Sequence, residues 1–266
     1  MVSGYSSIAA TGAPYAVIGD GLPTRLVIPG VEPEVEVPDG LRLQGVRGAF
    51  EELVDGGLCV AWRRTVTQES TLDRIVDDYV DLIHELELAD LSLIGVSTGS
   101  IIAVEVAARI GRRCRRLALV AGGARVSDAG RSLLNLAIDD ASAGRWRELA
   151  RRQTRAYYPG PIERAMLGAI AWGFPRLYGT PAHPGHYVGL TQIVRDADVR
   201  ERVAHLAAPL LIVNGEHDVF FPPDEARQTA LIADYGTLQT IPRAGHGVFK
   251  SRAHEVTRAL KDFLVP

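Results

Sequence analysis

Short apolar runs of strand length alternate with longer helical stretches along most of this 266-residue chain, and that alternation restricts the fold more than any other feature. Residues 15–18, 25–28, 58–62, 91–96, 117–121, 209–213 and 237–241 have the length and side chains of strands. Residues 71–88, 97–110, 223–233 and 248–264 have helical spacing, and a short helix is expected within 45–54. In the first of these, Thr71 stands where a cap belongs, and Ile75, Tyr79, Leu82, Ile83 and Leu86 share a face. Residues 19–23 read as the turn of a hairpin joining the first two strands. Strands joined through helices of ten or more residues imply an α/β chain with a mostly parallel central sheet flanked by helices on both faces.

From residue 126 to 195 the texture changes. Strand-like runs of Val and Ile disappear, and aromatic residues gather: Trp146, Tyr157, Tyr158, Trp172, Phe174, Tyr178 and Tyr187. A helical insertion between two strands of such a sheet is most simply a lid over its carboxyl edge, where open α/β sheets bind ligands. The chain therefore divides into a core domain, 1–125 and 196–266, and a helical lid (cap) subdomain, 126–195. Trp146, Tyr157, Trp172 and Phe174 are candidates to contact substrate there; packing the lid onto the core is the equal alternative.

The chemistry concentrates at three strand ends. Gly95-Val96-Ser97-Thr98-Gly99 joins an apolar strand directly to an apolar helix, which is the strand–turn–helix context a nucleophile elbow needs. A serine capping an ordinary helix would account for the pentapeptide alone equally well. A serine hydroxyl needs a base to take its proton and an acid to orient that base. Asn214-Gly215-Glu216-His217-Asp218 follows one later strand and Ala244-Gly245-His246-Gly247 the next. Ser97, Asp218 and His246 thus stand at three carboxyl ends in the order Ser, Asp, His, with Asp128 as a competing acid.

These motifs together resemble the α/β-hydrolase superfamily, over nearly the whole chain from about residue 14 onward, with 126–195 the least characteristic part. The resemblance implies the α/β-hydrolase fold, Ser97 as nucleophile, His246 as general base and Asp218 as orienting acid. It also implies an oxyanion hole from the backbone N–H groups of Thr98 and Val31. Pro29 stands where many relatives carry His, and Arg63-Arg64 replaces a glycine-rich stretch after the fourth strand. The expected activity is a serine hydrolase (esterase or thioesterase) acting through an acyl-enzyme on a small-molecule acyl substrate, free or carrier-linked. C–C bond or lactone hydrolysis, acyl transfer, a natural-product tailoring step and a non-catalytic binding role remain the alternatives, because function lives in the pocket and not in the fold.

Composition excludes other classes. The charge sum of −3 gives no basic footprint for nucleic acid. Neither Lys250 nor Lys261, the only lysines, follows a glycine-rich turn, so no Walker-type phosphate loop is present. Cys59 and Cys114 are too few for a disulfide framework or a cysteine zinc site, and Cys59 is expected in the core. No metal and no cofactor is expected, and no membrane partner; the expected location is cytoplasmic, without a signal peptide. His183 and His186 are expected as solvated loop histidines. The helix carrying Arg145, Arg147, Arg151, Arg152 and Arg155 against the single acid Glu148 reads as a solvated face, or as a dock for an anionic carrier. Glu32, Glu34 and Glu36 alternate with valines as an edge strand or an acidic loop at the site mouth.

Overall fold

The computed structural model describes residues 3–32, 36–67, 69–161, 165 and 181–264. These residues build an eight-stranded sheet from β1 (Gly4–Ile8), β2 (Pro14–Gly19), β3 (Pro23–Ile28), β4 (Gly57–Ala61), β5 (Leu91–Val96), β6 (Cys114–Val120), β7 (Leu210–Gly215) and β8 (Gly236–Ile241). The spatial order is β1-β2-β4-β3-β5-β6-β7-β8. Pairing is antiparallel from β1 through β2 to β4 and parallel from β4 to β8.

The expected hairpin of residues 15–28 does not form. β4 lies between β2 and β3, antiparallel to the first and parallel to the second. The turn at 19–23 redirects the chain past the width of one strand, which its close approach to Gly56 and Gly57 allows: a Cβ on Gly19 would stand 2.4 Å from the Gly56 carbonyl oxygen.

The helices are α1 (Gly40–Phe50), α2 (Leu72–Glu85), α3 (Gly99–Ile110), α4 (Asp128–Ser142), α5 (Trp146–Tyr157), α6 (Pro184–Asp196), α7 (Arg200–Val203), α8 (Pro223–Ile232), α9 (Val248–Ser251) and α10 (Ala253–Leu264). Thr71 caps α2 by accepting a hydrogen bond from the Arg74 N–H at 3.3 Å. The alternation of strand side chains sends Leu26, Cys59, Leu93 and Leu117 to one face of the sheet, beneath α2, α3 and α8. Val27, Val60, Ile94 and Val120 go to the other, where α10 packs through Val256, Ala259, Leu260 and Leu264. On that second face α1 contributes no fully buried side chain. Cys59 and Cys114 are both buried, and burial pushes each thiol up to about 12.

Helices α4, α5 and α6 all lie between β6 and β7. The two ends of this insertion meet at its base, where Arg125 and Asp198 form an isolated antiparallel bridge and the Val199 N–H reaches the Ala124 carbonyl at 3.0 Å. No helix among the described residues is long and apolar enough to cross a membrane.

Candidate active site

Ser97 leaves β5 with φ of 55°, in the left-handed region that a non-glycine residue occupies only under compulsion. Its own N–H bonds back to Val120 of β6 at 2.8 Å, and its carbonyl accepts the Ser100 N–H at 2.9 Å, so both sides of the turn are held. The flanking glycines are required by crowding. A Cβ at Gly95 would stand 2.6 Å from Ser100 Cα, and one at Gly99 would stand 2.3 Å from the Ile28 carbonyl oxygen.

The three strand-end residues converge. Ser97 Oγ lies 2.8 Å from His246 Nε2, and His246 Nδ1 lies 2.8 Å from Asp218 Oδ2. An ionised carboxylate only accepts, so Nδ1 carries the proton and Nε2 is left to accept from the serine hydroxyl. The second carboxylate oxygen accepts the Phe220 and Phe221 N–H groups at 2.8 and 3.0 Å. The Asp218 and His246 side chains are 0% and 2% exposed, so both act in a low-dielectric setting. Asp128 sits in the first turn of α4, solvated and near Arg125, away from the imidazole.

The loop of His246 is packed from above. A Cβ at Gly245 would stand 2.5 Å from the Tyr157 carbonyl oxygen, and one at Gly247 would meet the Tyr158 ring at 2.6 Å. Only glycine fits at either side of the histidine. That same Tyr157 carbonyl accepts the Gly247 N–H at 3.0 Å. The rings of Tyr157 and Phe220 lie 4.8 and 4.6 Å from the imidazole, centroid to centroid. Burial pushes the Tyr157 phenol far above its ordinary range, so it stays neutral.

The Val31 N–H points to the same corner as Thr98: Thr98 Oγ1 accepts from it at 3.1 Å. Gly30 is pressed against Ser97, where an added Cβ would stand 2.9 Å from the serine Cβ. Arg63, itself buried, donates to the carbonyl oxygens of Pro29 at 2.7 Å and of Gly30. Those two carbonyls are thereby held by one side chain. Asn214 ties neighbouring loops together, accepting from Gly122 N–H at 2.9 Å and donating to the Gly122 and Phe221 carbonyls. Glu32 accepts from the Trp62 indole at 2.8 Å; burial raises its carboxyl above the usual range against the opposing pull of Arg63. The sequence placed Glu32 only as part of an edge strand or an acidic loop at the site mouth, Arg63 only as a departure from a glycine-rich stretch, and Asn214 only as the start of the aspartate turn; none was given these bonds.

Of the four candidate substrate contacts, Tyr157 lines the cavity at Ser97. Trp146 packs inside the insertion with Leu149 and Tyr187, its ring edge-on to Tyr187 at 5.9 Å. Trp172 and Phe174 lie outside the described residues, as does Glu34. His186 is not a solvated loop histidine. It is buried on α6, its Nδ1 accepts the Val66 N–H at 2.9 Å, and burial lowers its pKa to about 4. The arginines of α5 face a second acid: the buried Asp140 accepts from Arg145 at 2.9 Å and Arg152 at 2.7 Å. Among the described residues no three His, Cys, Asp or Glu side chains group so as to hold a metal ion.

Known proteins resemble this chain in sequence and in fold. A curated relative, the pimeloyl-[acyl-carrier protein] methyl ester esterase of Xanthomonas axonopodis pv. citri (strain 306), is 33% identical over 86 residues, 32% of this chain and 34% of that protein. The match thus spans about a third of the relative's length. Among solved structures, MGS-M2, an alpha/beta hydrolase enzyme from a Medee basin deep-sea metagenome library, superposes with a TM-score of 0.79 at 17% identity, covering 99% of this chain and 94% of its own. The enol-lactonase from Burkholderia xenovorans LB400 superposes with a TM-score of 0.73 at 18% identity, covering 98% and 99%. At such identities the superpositions establish shared fold alone. The sequence model of the alpha/beta hydrolase family matches residues 38–259, a span that takes in the serine turn, the aspartate turn and the histidine loop, and the chain belongs to that family.

Proposed function

We propose that this alpha/beta hydrolase cleaves a carboxylic ester or thioester through an acyl-enzyme on Ser97. The observation that carries the reading is the continuous hydrogen-bond line Ser97 Oγ, His246 Nε2, His246 Nδ1, Asp218 Oδ2, with both links at 2.8 Å. His246 takes the hydroxyl proton as Ser97 Oγ attacks the acyl carbonyl carbon. Asp218 holds the tautomer and offsets the imidazolium charge. The carbonyl oxygen, now an anion, is received by the Thr98 and Val31 N–H groups; the Thr98 hydroxyl gives up its hold on Val31 when the oxyanion arrives. The imidazolium proton passes to the leaving alcohol or thiol as the C–O or C–S bond breaks. Water then repeats the attack with His246 as base, and the free acid departs.

The insertion 126–195 is the lid in this reading. Its joined base at Arg125 and Asp198 and the contact of Tyr157 with His246 support that role and the domain limits. Tyr157 contacts substrate; Trp146, Trp172 and Phe174 are proposed with it as parts of the same lid. Lactone opening is the second reading, favoured by the likeness in fold to the enol-lactonase. Carrier linkage of the acyl group rests on the partial match to a carrier-protein ester esterase and on the arginines of α5.

A fluorophosphonate probe tests the core of the proposal. Wild type should be labelled at one site, and Ser97→Ala and His246→Ala should not. A well-folded wild type that stays unlabelled, or labelling that persists in Ser97→Ala, overturns it.

A further inference from the structure

We infer that Glu32 selects the substrate: its free carboxylate oxygen accepts a hydrogen bond from a neutral donor, a hydroxyl or an amide N–H, carried by the ester or thioester that Ser97 attacks. The inference rests on the proposed reading for the reacting bond, and on Glu32 and Trp62 for what lies beside it.

Glu32 directly follows Val31, whose N–H stands at the corner of Thr98, and it lines the cavity that opens at Ser97 and His246. Trp62, just past the end of β4, lines the same cavity. Its ring is buried against the α10 face of the sheet, so the indole has a fixed direction. The indole N–H donates to Glu32 Oε2 at 2.8 Å, which pins the carboxyl by one oxygen. The other oxygen, Oε1, has no hydrogen-bond partner among the described residues. Nor is it one of the side-chain atoms enclosed there without a partner, which belong to Thr11, Arg47, Arg63, Arg131 and Trp146. Oε1 is therefore reached by solvent, on the wall of the cavity that holds the nucleophile.

A carboxylate oxygen only accepts, and a part-buried one left without a donor costs stability that a purely structural role would not require. A donor on the substrate supplies what the fold withholds. The kind of donor follows from the surrounding charge. Arg63, Arg42 and Lys250 all pull on the Glu32 carboxyl. Arg42 also lies 3.9 Å from Glu36, and Glu52, the other acid on the cavity wall, is paired with Lys261 at 2.9 Å. The surroundings of Glu32 are thus positive already. A cationic group on the substrate would meet repulsion there, whereas a hydroxyl or an amide N–H would not. Its bond to an ionised acceptor is of the stronger kind, and an analogue without the donor leaves the oxygen unpaired.

The test uses ethyl hexanoate as the parent ester. Against it stand ethyl 3-hydroxyhexanoate and ethyl 6-hydroxyhexanoate, with the donor in the acyl part, and 2-hydroxyethyl hexanoate, with the donor in the alcohol part. Wild type should prefer at least one of the three by about tenfold to a hundredfold in kcat/KM, and the one preferred locates the donor. In Glu32→Gln the indole must be met by the amide oxygen, so the amide nitrogen, itself a donor, faces the cavity. The preference should then fall to near one. Adding Trp62→Phe to Glu32→Gln frees the amide to turn its oxygen to the cavity, and part of the preference should return, which misfolding would not allow. No preference in wild type for any hydroxylated ester, or a preference unchanged in Glu32→Gln, overturns the inference. A preference for ethyl 6-aminohexanoate over ethyl 6-hydroxyhexanoate overturns the neutral donor. Calorimetry on Ser97→Ala reads the same comparison as Kd, without turnover. A preference in Kd beside a wild type that fluorophosphonate does not label would overturn the hydrolase reading and leave the role of Glu32 standing. Labelling with equal Kd values would do the reverse.

Discussion

At the carboxyl edge of the sheet, the Asp218 carboxylate uses both oxygens on three donors, and the imidazole it orients is closed off from water. In the insertion above, the Trp146 indole N–H is enclosed without an acceptor among the described residues, and the buried Asp140 is shared by two half-exposed arginines. The first region is specified by polar groups with a single solution each. The second is held by ring packing and by ion pairs at its surface, which are individually weak. Chemistry is thus anchored where the carboxylate and the imidazole each have fixed partners, and shape is delegated to elements that tolerate change. Substitutions at the edge should therefore act on turnover, and those in the insertion on stability.

The largest effects should come from the edge. Ser97→Ala or His246→Ala should lower kcat/KM on an activated ester by about 10⁴-fold or more. Asp218→Asn, which reverses the preferred tautomer while preserving shape, should cost about 10⁴-fold in kcat. A loss under tenfold for Asp218→Asn would remove the orienting role. Arg63 comes next. Arg63→Leu frees the carbonyls of Pro29 and Gly30 and slackens the segment that carries the Val31 N–H. Removing an oxyanion donor outright costs about 10²–10³-fold, so displacing one should lower kcat by roughly tenfold to a hundredfold with KM nearly unmoved. Partial rescue by Arg63→Lys would separate positioning from general destabilisation.

The insertion should answer to pH. His186 is held neutral, its pKa lowered to about 4 from the ordinary 6.5. The unfolded chain therefore binds the proton first. The stability contribution is complete above pH 6.5 and is lost as pH falls toward 4, by roughly 3 kcal/mol across the window. Denaturant unfolding of His186→Gln against wild type at pH 7 and pH 4.5 should show the pH slope shrink in the variant. The smallest effect should be at Glu32, whose carboxyl is raised by burial. Its favourable contribution is present at low pH and lost as pH rises through the raised value. Glu32→Gln keeps an acceptor for the Trp62 indole, so it should raise Tm at pH 8 and leave it unchanged near pH 4. A lower Tm at pH 8 would mean that the Arg63 attraction outweighs the burial.

What was legible in the sequence follows the same division. The serine turn, the aspartate turn and the histidine loop announce themselves because glycines at fixed offsets are forced by contacts within each loop or with one neighbour, as at Gly95, Gly99, Gly245 and Gly247. The parallel sheet was legible because its strands are buried on both faces and read as unbroken apolar runs. The order of β2, β4 and β3 was not, since a turn sequence says nothing about a third strand arriving from residues 57–61. β1 went unnoticed because Gly-Tyr-Ser-Ser-Ile is a polar edge strand without alternation. The bonds of Arg63 and the burial of His186 were not legible for one reason: each bonds to backbone distant in the chain, and polar side chains reveal such partners only in three dimensions.

One contact carries a consequence for how the molecule works. The final carbonyl of α5 is bonded to the amide directly after His246, and no side chain separates the two segments. If α5 swings outward to admit a bulky guest, it must either break that bond or drag the imidazole off the serine. Only in the second case does the imidazole leave the serine, so the strength of that one bond decides whether a movement of α5 reaches the reacting atoms.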